Sequence, residues 1–189
     1  MKFYMKLQDW LAGPFSQKMQ KFMQNPYMHA LQVCFTIILP MIMVGSLASL
    51  VNTFRNFAPW LPDLSLINSF SFGLISIFMA FLIPYTIMES KKLQKQKMIT
   101  GFASVSALIA LANPQYVDGN LVINSGYVGT GGMTVAMVMG LVIGWLFSAY
   151  FKHGLFKKDS SLPSVVVVWF ESILIIFVLI LVCIIIGQN

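Results

Sequence analysis

Five apolar stretches, separated by polar or basic segments, dominate the pattern of hydrophobic and polar positions along the chain. A helix needs about 20 apolar residues to cross the ~30 Å hydrocarbon core of a bilayer. Four stretches approach that length: residues 30–51, 70–88, 132–151 and 164–187. The fifth, residues 98–112, reaches only about 22 Å as a helix. Because it is too apolar for a solvent-exposed loop, the pattern predicts a short or kinked span there.

The basic residues test this count of spans. Lysines precede the first stretch and follow the second and the fourth, whereas the remaining two loops contain one basic residue, Arg55. With five spans, all twelve Lys and Arg residues except Arg55 fall on one side. The positive-inside rule makes that side cytoplasmic. We therefore predict an all-α polytopic membrane protein with five transmembrane helices, its N-terminus inside and its C-terminus outside.

Residues 1–25 are predicted to form an amphipathic interfacial segment ahead of the five-span domain of residues 26–189. They are basic but lack the continuous apolar core of a cleavable signal peptide. Two short helices, broken at Gly13-Pro14, would each place an apolar face on the cytoplasmic leaflet with lysines beside anionic lipid. The alternative is that these faces contact the protein's own loops.

A short external hairpin is predicted between the third and fourth spans. Two β-prone runs, residues 115–117 and 121–123, flank Asp118, Gly119 and Asn120. Asp-Gly is a strong signal for a tight hairpin turn. This external loop ends in a glycine-rich run that leads into the fourth span.

Composition removes several other classes of protein. Apolar residues make up 58% of the chain and charged residues 10%, whereas soluble domains have about 25% charged residues. Two cysteines are too few for a disulfide scaffold, and two histidines placed far apart do not suggest a metal site. The lysine distribution accounts for the net charge of +6, so no nucleic-acid partner is predicted. No catalytic residue, metal or cofactor is predicted, and the substrate-binding residues are unknown.

Three pairs of segments follow one another in an ordered arrangement. They are Asn25–Met28 with Leu39–Ser46, Asp118–Asn120 with Tyr127–Met133, and Leu162–Val165 with Phe170. In order and spacing they resemble enzyme IIC sugar permeases of the lactose/cellobiose type. These permeases are the membrane components of the bacterial phosphotransferase system, so the resemblance implies a multi-pass protein of the bacterial cytoplasmic membrane that acts in sugar transport.

In that family the first half of the spans forms the scaffold and dimer-interface domain. The second half supplies the sugar pocket and the groups near the reactive sugar hydroxyl. This chain ends after the five predicted spans, so the resemblance implies a scaffold half, with no enzyme activity expected of it alone. The implied partners are the lipid bilayer, a second copy or a second membrane half, and other phosphotransferase-system components.

A stripe of small residues runs along the fourth predicted span. Gly132, Ala136, Gly140, Gly144 and Ser148 recur at four-residue spacing, and Gly140 with Gly144 forms a GxxxG motif. Small residues at this interval let two helices approach closely in a membrane. The stripe is therefore predicted to be a helix interface, either within one chain or between two copies in a homodimer.

Glu171 is the one acidic residue predicted to lie well inside a span. An ionisable group at that depth costs about 2.5–3.5 kcal/mol on insertion scales, so a functional role is suspected. It could bind a proton, interact with Ser104 or Ser106, or pair across a dimer. Alternatively, it is protonated or reaches the cytoplasmic surface.

Three functions remain open from the sequence. The first is sugar uptake as an enzyme IIC-like scaffold, in a dimer or with a partner half. The second is a non-transporting accessory protein that docks a partner through its external loop and small-residue helix faces. The third is proton or ion conduction through a dimer seam at Glu171.

Overall fold

The computed structural model of the protein describes residues 16–153 and 164–187. The first predicted amphipathic helix lies outside the described residues. So do the loop after residue 153 and the Leu162-Pro163 part of the last permease-like segment. The side chain of Glu171 is also outside the described part of the chain, although its backbone belongs to the last helix.

The described chain is mostly helical. Its helices are α1 (Ser16–Met23), α2 (Pro26–Phe54), α3 (Ser65–Ser71), α4 (Ile75–Ser90), α5 (Lys97–Leu111), α6 (Ser125–Val128), α7 (Met133–His153) and α8 (Ser164–Gly187). Two 3₁₀ turns, Phe72–Leu74 and Thr130–Gly132, precede α4 and α7. Strands β1 (Gln115–Val117) and β2 (Asn120–Val122) lie between α5 and α6.

Among the described residues, three helical segments are long and apolar enough to cross a membrane: Pro26–Phe54, Ser65–Ser90 and Thr130–Lys152. Helix α5 (Lys97–Leu111) and the Ser172–Gly187 part of α8 are shorter apolar helical stretches among the described residues. The prediction of a helical protein with membrane-length helices and a small hairpin is confirmed. The count of five spans and their orientation stay predictions.

The start of α2 follows from a local cap. The Asn25 side chain accepts a hydrogen bond from the backbone N–H of Tyr27, with 3.1 Å between the nitrogen and the oxygen. Pro26 occupies the first helical position, where its fixed φ suits the helix and its missing N–H leaves no bond unmade. The helix therefore begins before the apolar stretch that starts at residue 30.

The second apolar stretch is not one regular helix. The α3 helix begins at Ser65, in the connection predicted between the first two apolar stretches, and the 3₁₀ turn at Phe72–Leu74 separates α3 from α4. This turn packs against α2 at Gly45, where an added Cβ would lie 2.6 Å from Ser71 Oγ and 2.7 Å from the Phe72 ring. The break therefore lies beside a close contact with α2 at Gly45.

Helix α4 lies at the centre of the bundle. It packs against α2, α5 and α7, and Met79, Ile83 and Ile87 on it are fully buried. The same apolar cluster includes Ile38 of α2 and Leu108 of α5. Because α4 contacts three helices, the apolar core of the described bundle forms around it.

Helix α8 lies at one flank and packs mainly on α5. Ser172 and Ile175 are buried on its inner face, and Gly187 lies beside the backbone of Leu111. The outer face is apolar and uncovered, with Phe177 66% exposed. Helix α2 presents a similar exposed apolar face, which includes Leu47. The two flanks of the bundle are thus apolar and are not covered by other described residues.

The predicted hairpin is confirmed. Strands β1 and β2 pair antiparallel with Val117 opposite Asn120, so Asp118 and Gly119 alone form the turn. Their φ angles are 49° and 78°. Two positive φ values define the turn geometry that matches the twist of a two-residue hairpin, which explains the Asp-Gly sequence. Asn120 was expected in the turn and instead begins β2.

Two buried serines differ in their hydrogen bonding. Ser76 Oγ on α4 donates to the carbonyl oxygen of Gly129, ahead of α7. Ser104 on α5 is equally buried, but its hydroxyl has no partner among the described residues. The first hydroxyl links the loop before α7 to α4, whereas no described residue compensates the burial of the second.

Replacing each serine with alanine should therefore have different effects. Ser76→Ala leaves a buried carbonyl without its donor and should lower the free energy of unfolding by about 1–3 kcal/mol. Ser104→Ala removes an unpartnered hydroxyl and should be neutral or stabilising. The measurement is thermal unfolding in detergent, followed by circular dichroism. If Ser104→Ala lowers the free energy of unfolding as much as Ser76→Ala does, Ser104 has a partner outside the described side chains. Glu171→Gln would then be the next variant to test.

Candidate functional site

The small-residue stripe lies inside the described bundle. Gly132, Ala136, Gly140, Gly144 and Ser148 are all buried. Four of them follow one another along α7, which makes its most extensive contacts with α4. Of the two alternatives for this interface, the structure shows packing within one chain.

The glycines in the stripe allow a close approach that no larger residue permits. A Cβ on Gly140 would lie 3.0 Å from Ile83 Cβ and 3.3 Å from Pro84 Cδ. A Cβ on Gly144 would lie 2.6 Å from Ile87 Cδ1 and 3.3 Å from the Cα of Pro84. Since the neighbours include backbone and branched carbon atoms, α7 would have to move away from α4 to accept side chains there.

The stripe begins at a second close approach. A Cβ on Gly132 would overlap the carbonyl oxygen of Tyr127, and one on Gly131 would lie 2.8 Å from the carbonyl oxygen of Gly126. The glycine-rich run therefore allows the chain to fold back on itself before it enters α7. The glycine-rich run thus forms a compact connection between the hairpin and α7, as the sequence predicted.

Lys91 connects three helices at the end of the bundle opposite the hairpin. Its Nζ lies 2.7 Å from Tyr27 Oη and 2.7 Å from Ser148 Oγ, and 4.7 Å from the centroid of the Tyr27 ring. These contacts join the end of α4 to the start of α2 and the end of α7. The sequence alone places Lys91 only among the basic residues of a loop. Its partners cannot be predicted from it, because they are 64 and 57 residues away in the chain.

A second lysine links the same end of α4 to α5. Lys97 Nζ lies 2.7 Å from Glu89 Oε1 and 4.7 Å from the centroid of the Tyr85 ring. The ion pair spans the short connection between the two helices. It therefore links Glu89 in the last turn of α4 to Lys97, the first residue of α5.

The hairpin end contains a cavity of about 360 Å³ next to the predicted external loop. Its polar lining comes from Asn113, Gln115, Asn124 and Tyr127. The turn residues Asp118 and Gly119 and the following Asn120 are exposed beyond it. Neutral amides and one phenol give the described lining of this cavity hydrogen-bonding capacity without charge.

An ion pair lies in the loop between α2 and α3. Arg55 donates to Asp63 Oδ2 at 2.7 Å, and the backbone N–H of Ser65 donates to Asp63 Oδ1 at 2.9 Å. The pKa of Asp63 is lowered, first by the bonds from Ser65 and then by Arg55. Both ionic side chains are about half exposed, so this pair contributes little to stability and acts mainly to shape the loop.

The remaining candidates do not assemble into a chemical site within the described chain. Cys34 is buried, Cys183 is half-buried, and both are free thiols. Among the described residues, no group of three His, Cys, Asp or Glu side chains could hold a metal ion. Glu171 lies in α8, and because its side chain is outside the described set, its role stays a prediction.

In comparisons with known proteins, no family model, no curated protein and no solved structure matches this chain. The relationship to enzyme IIC permeases therefore stays a prediction that rests on the ordered segments. The class that the structure defines is a helical protein with three segments long and apolar enough to cross a membrane.

The α4–α7 contact makes a direct mutational prediction. Gly140→Leu inserts a side chain against Ile83 and Pro84, and overpacking of this kind costs about 1–3 kcal/mol. We expect a lower thermal unfolding midpoint in detergent. Val142→Leu is the matched control, because Val142 is exposed on the same helix and should change stability by less than about 0.5 kcal/mol. Equal effects of the two substitutions would contradict the packing described here.

Proposed function

We propose that the chain is the membrane-embedded scaffold of a bacterial sugar-uptake system of the enzyme IIC type. In this proposal its five apolar helices cross the cytoplasmic membrane, with the lysine-rich end inside. It works as a homodimer or with a second membrane half that supplies the sugar pocket. Other phosphotransferase-system components would be its partners at the cytoplasmic end.

The arrangement of charges supports the proposed orientation. The contacts of Lys91 bring together the first residues of α2 and the last turns of α4 and α7, where Lys152 also lies. Arg55 and the hairpin belong to the connections at the other ends of these helices. Clustered lysines at one end of apolar helices are what the positive-inside rule predicts for a cytoplasmic face.

The exposed apolar side chains of α1 support an interfacial location for this helix. Met19 and Phe22 lie on α1 and are about half exposed, so the described chain does not cover them. A basic helix with an uncovered apolar face is suited to the surface of a bilayer. This observation favours the interfacial interpretation over contact with the protein's own loops.

The uncovered outer face of α8 is the observation that most favours a scaffold acting with a partner. Ile173, Leu174, Phe177 and Val178 are each at least half exposed along this face. Meanwhile, the centre of the bundle around α4 is filled by buried apolar side chains. A path for sugar needs polar surface. In this proposal a second membrane half packs on the outer face of α8 and supplies that surface. Since the small-residue stripe is occupied within the chain, any dimer contact must use another face.

The proposal is tested by the composition and the activity of the purified particle. Native mass spectrometry from nanodiscs should detect two copies, or one copy with a second membrane protein. Binding of radiolabelled lactose and cellobiose should require that assembly, and the isolated single chain should not transport them. Phe177→Asn with Leu174→Asn should dissociate the assembly, whereas the exposed Val138→Asn on α7 is the control. A monomer that neither recruits a partner nor binds sugar in any preparation would contradict the proposal.

A second candidate function is docking of a partner at the hairpin, without transport. Four apolar residues of this two-stranded ribbon are exposed, with Tyr116 at 79%. The others are Val117, Leu121 and Val122. An isolated two-stranded hairpin is marginally stable alone, so apolar side chains exposed there favour a contact surface.

This candidate predicts that the hairpin determines which protein is captured. Tyr116→Ser with Leu121→Ser should abolish cross-linking to a partner in intact membranes, because the apolar contact area is lost. Asn120→Ser is the matched control on the same ribbon, since it replaces one exposed polar residue with another. If the cross-linked species is another copy of this chain, the homodimer of the first proposal is favoured. If the double substitution leaves every cross-link intact, docking at the hairpin is wrong.

A further inference from the structure

A basic cavity lies at the lysine-rich end of the bundle, between the end of α4 and the last turns of α7. Its volume is about 470 Å³, within the range of small-ligand sites. The described residues that line it are Lys91, Leu93, Trp145, Ser148, Ala149 and Lys152. Two ammonium groups therefore share one cavity whose other walls are largely apolar.

The hydrogen-bond partners of Lys91 that the structure describes carry no charge. Its two hydrogen-bond partners, Tyr27 Oη and Ser148 Oγ, are both uncharged oxygens at 2.7 Å. An ammonium group has three donors, so one donor remains for a ligand. The described contacts thus orient the Lys91 ammonium group, and neither of them is to a carboxylate.

The described carboxylates are engaged elsewhere. Glu89 is two residues before Lys91 but pairs with Lys97 at 2.7 Å. Asp63 pairs with Arg55, and Asp118 lies in the hairpin turn. None of the three is among the described residues that line the cavity. Two cations in one cavity repel each other, and an anion bound between them would relieve that repulsion.

The surroundings of the two lysines indicate which anion fits. Trp145 lines the cavity and is 58% exposed, about two turns before Lys152 along α7. Leu93 and Ala149 complete the apolar wall. Tryptophan favours the boundary between headgroups and acyl chains, and lysine binds phosphate as a point charge. Basic pockets between helices on the cytoplasmic side are suited to phospholipid headgroups.

We propose that this cavity binds the phosphate of an anionic phospholipid from the cytoplasmic leaflet. Lys91 and Lys152 contact the headgroup oxygens, and the acyl chain leaves along Trp145. The inference requires the proposed membrane orientation but not the proposed role in sugar uptake. Its test measures bound lipid, so it can fail or succeed independently of sugar binding.

The experiment is native mass spectrometry of the full chain released from nanodiscs that contain equal amounts of phosphatidylglycerol and phosphatidylcholine. The wild type should retain phosphatidylglycerol preferentially. Lys152→Gln should reduce that retention about fivefold, because one lysine at an anionic lipid surface contributes about fivefold in affinity. Lys91→Gln with Lys152→Gln should reduce it about thirtyfold, because both contributions are lost. Lys92→Gln is the matched control, because Lys92 is exposed at the same end and does not line the cavity.

If loss of Lys91 impairs folding, Lys152→Gln alone still tests the proposal. In that variant the hydrogen bonds of Lys91 to Tyr27 and Ser148 remain intact. Its thermal unfolding midpoint in neutral detergent should equal that of the wild type. Equal retention of the two lipids, or equal loss in Lys92→Gln and Lys152→Gln, would overturn the proposal. Displacement of the lipid by millimolar inorganic phosphate would also overturn it, because free phosphate would then be the ligand.

Discussion

The close approach of α7 to α4 is the contact on which the rest of the described bundle depends. Gly140 and Gly144 have no side chains where Ile83, Pro84 and Ile87 of α4 pass. In lipid, helices gain little from hiding apolar surface from water, so association relies on dispersion between closely packed backbones and on polar contacts. Because α4 also contacts α2 and α5, the position of α7 is coupled to that of the other helices.

The polar contacts between helices described above lie at the ends of the bundle. This separation of polar ends from an apolar middle connects the stability of the bundle with its proposed roles. Lys91 joins α2, α4 and α7 at one end, and Ser76 joins α4 to the loop before α7 at the other. Apart from buried hydroxyl groups such as those of Thr86 and Ser104, the middle of the described bundle is apolar inside and on its outer flanks. Such a body is well suited to a scaffold that presents apolar faces to lipid or to a partner, and a lipid bound at the lysine-rich end would stabilise the same junction.

Local patterns predicted the elements that depend on local physics. The apolar stretches became helices, and the Asp118-Gly119 pair produced the hairpin turn because its backbone needs two positive φ values. The break at Phe72–Leu74 was not predicted. It coincides with the contact of that turn with Gly45, more than 25 residues earlier in the chain. The hydropathy of the stretch itself does not predict a contact with so distant a residue.

The sequence by itself determined that the chain is helical and apolar, where its lysines fall along it, and which residues of α7 form an interface. Only the tertiary structure decided that this interface is filled by α4 of the same chain, and that Lys91 lies beside Ser148 and Lys152. The physical reason is that spacing along a helix defines a face, whereas the partner of that face depends on how distant helices pack. A GxxxG stripe permits a close neighbour without specifying which neighbour it is.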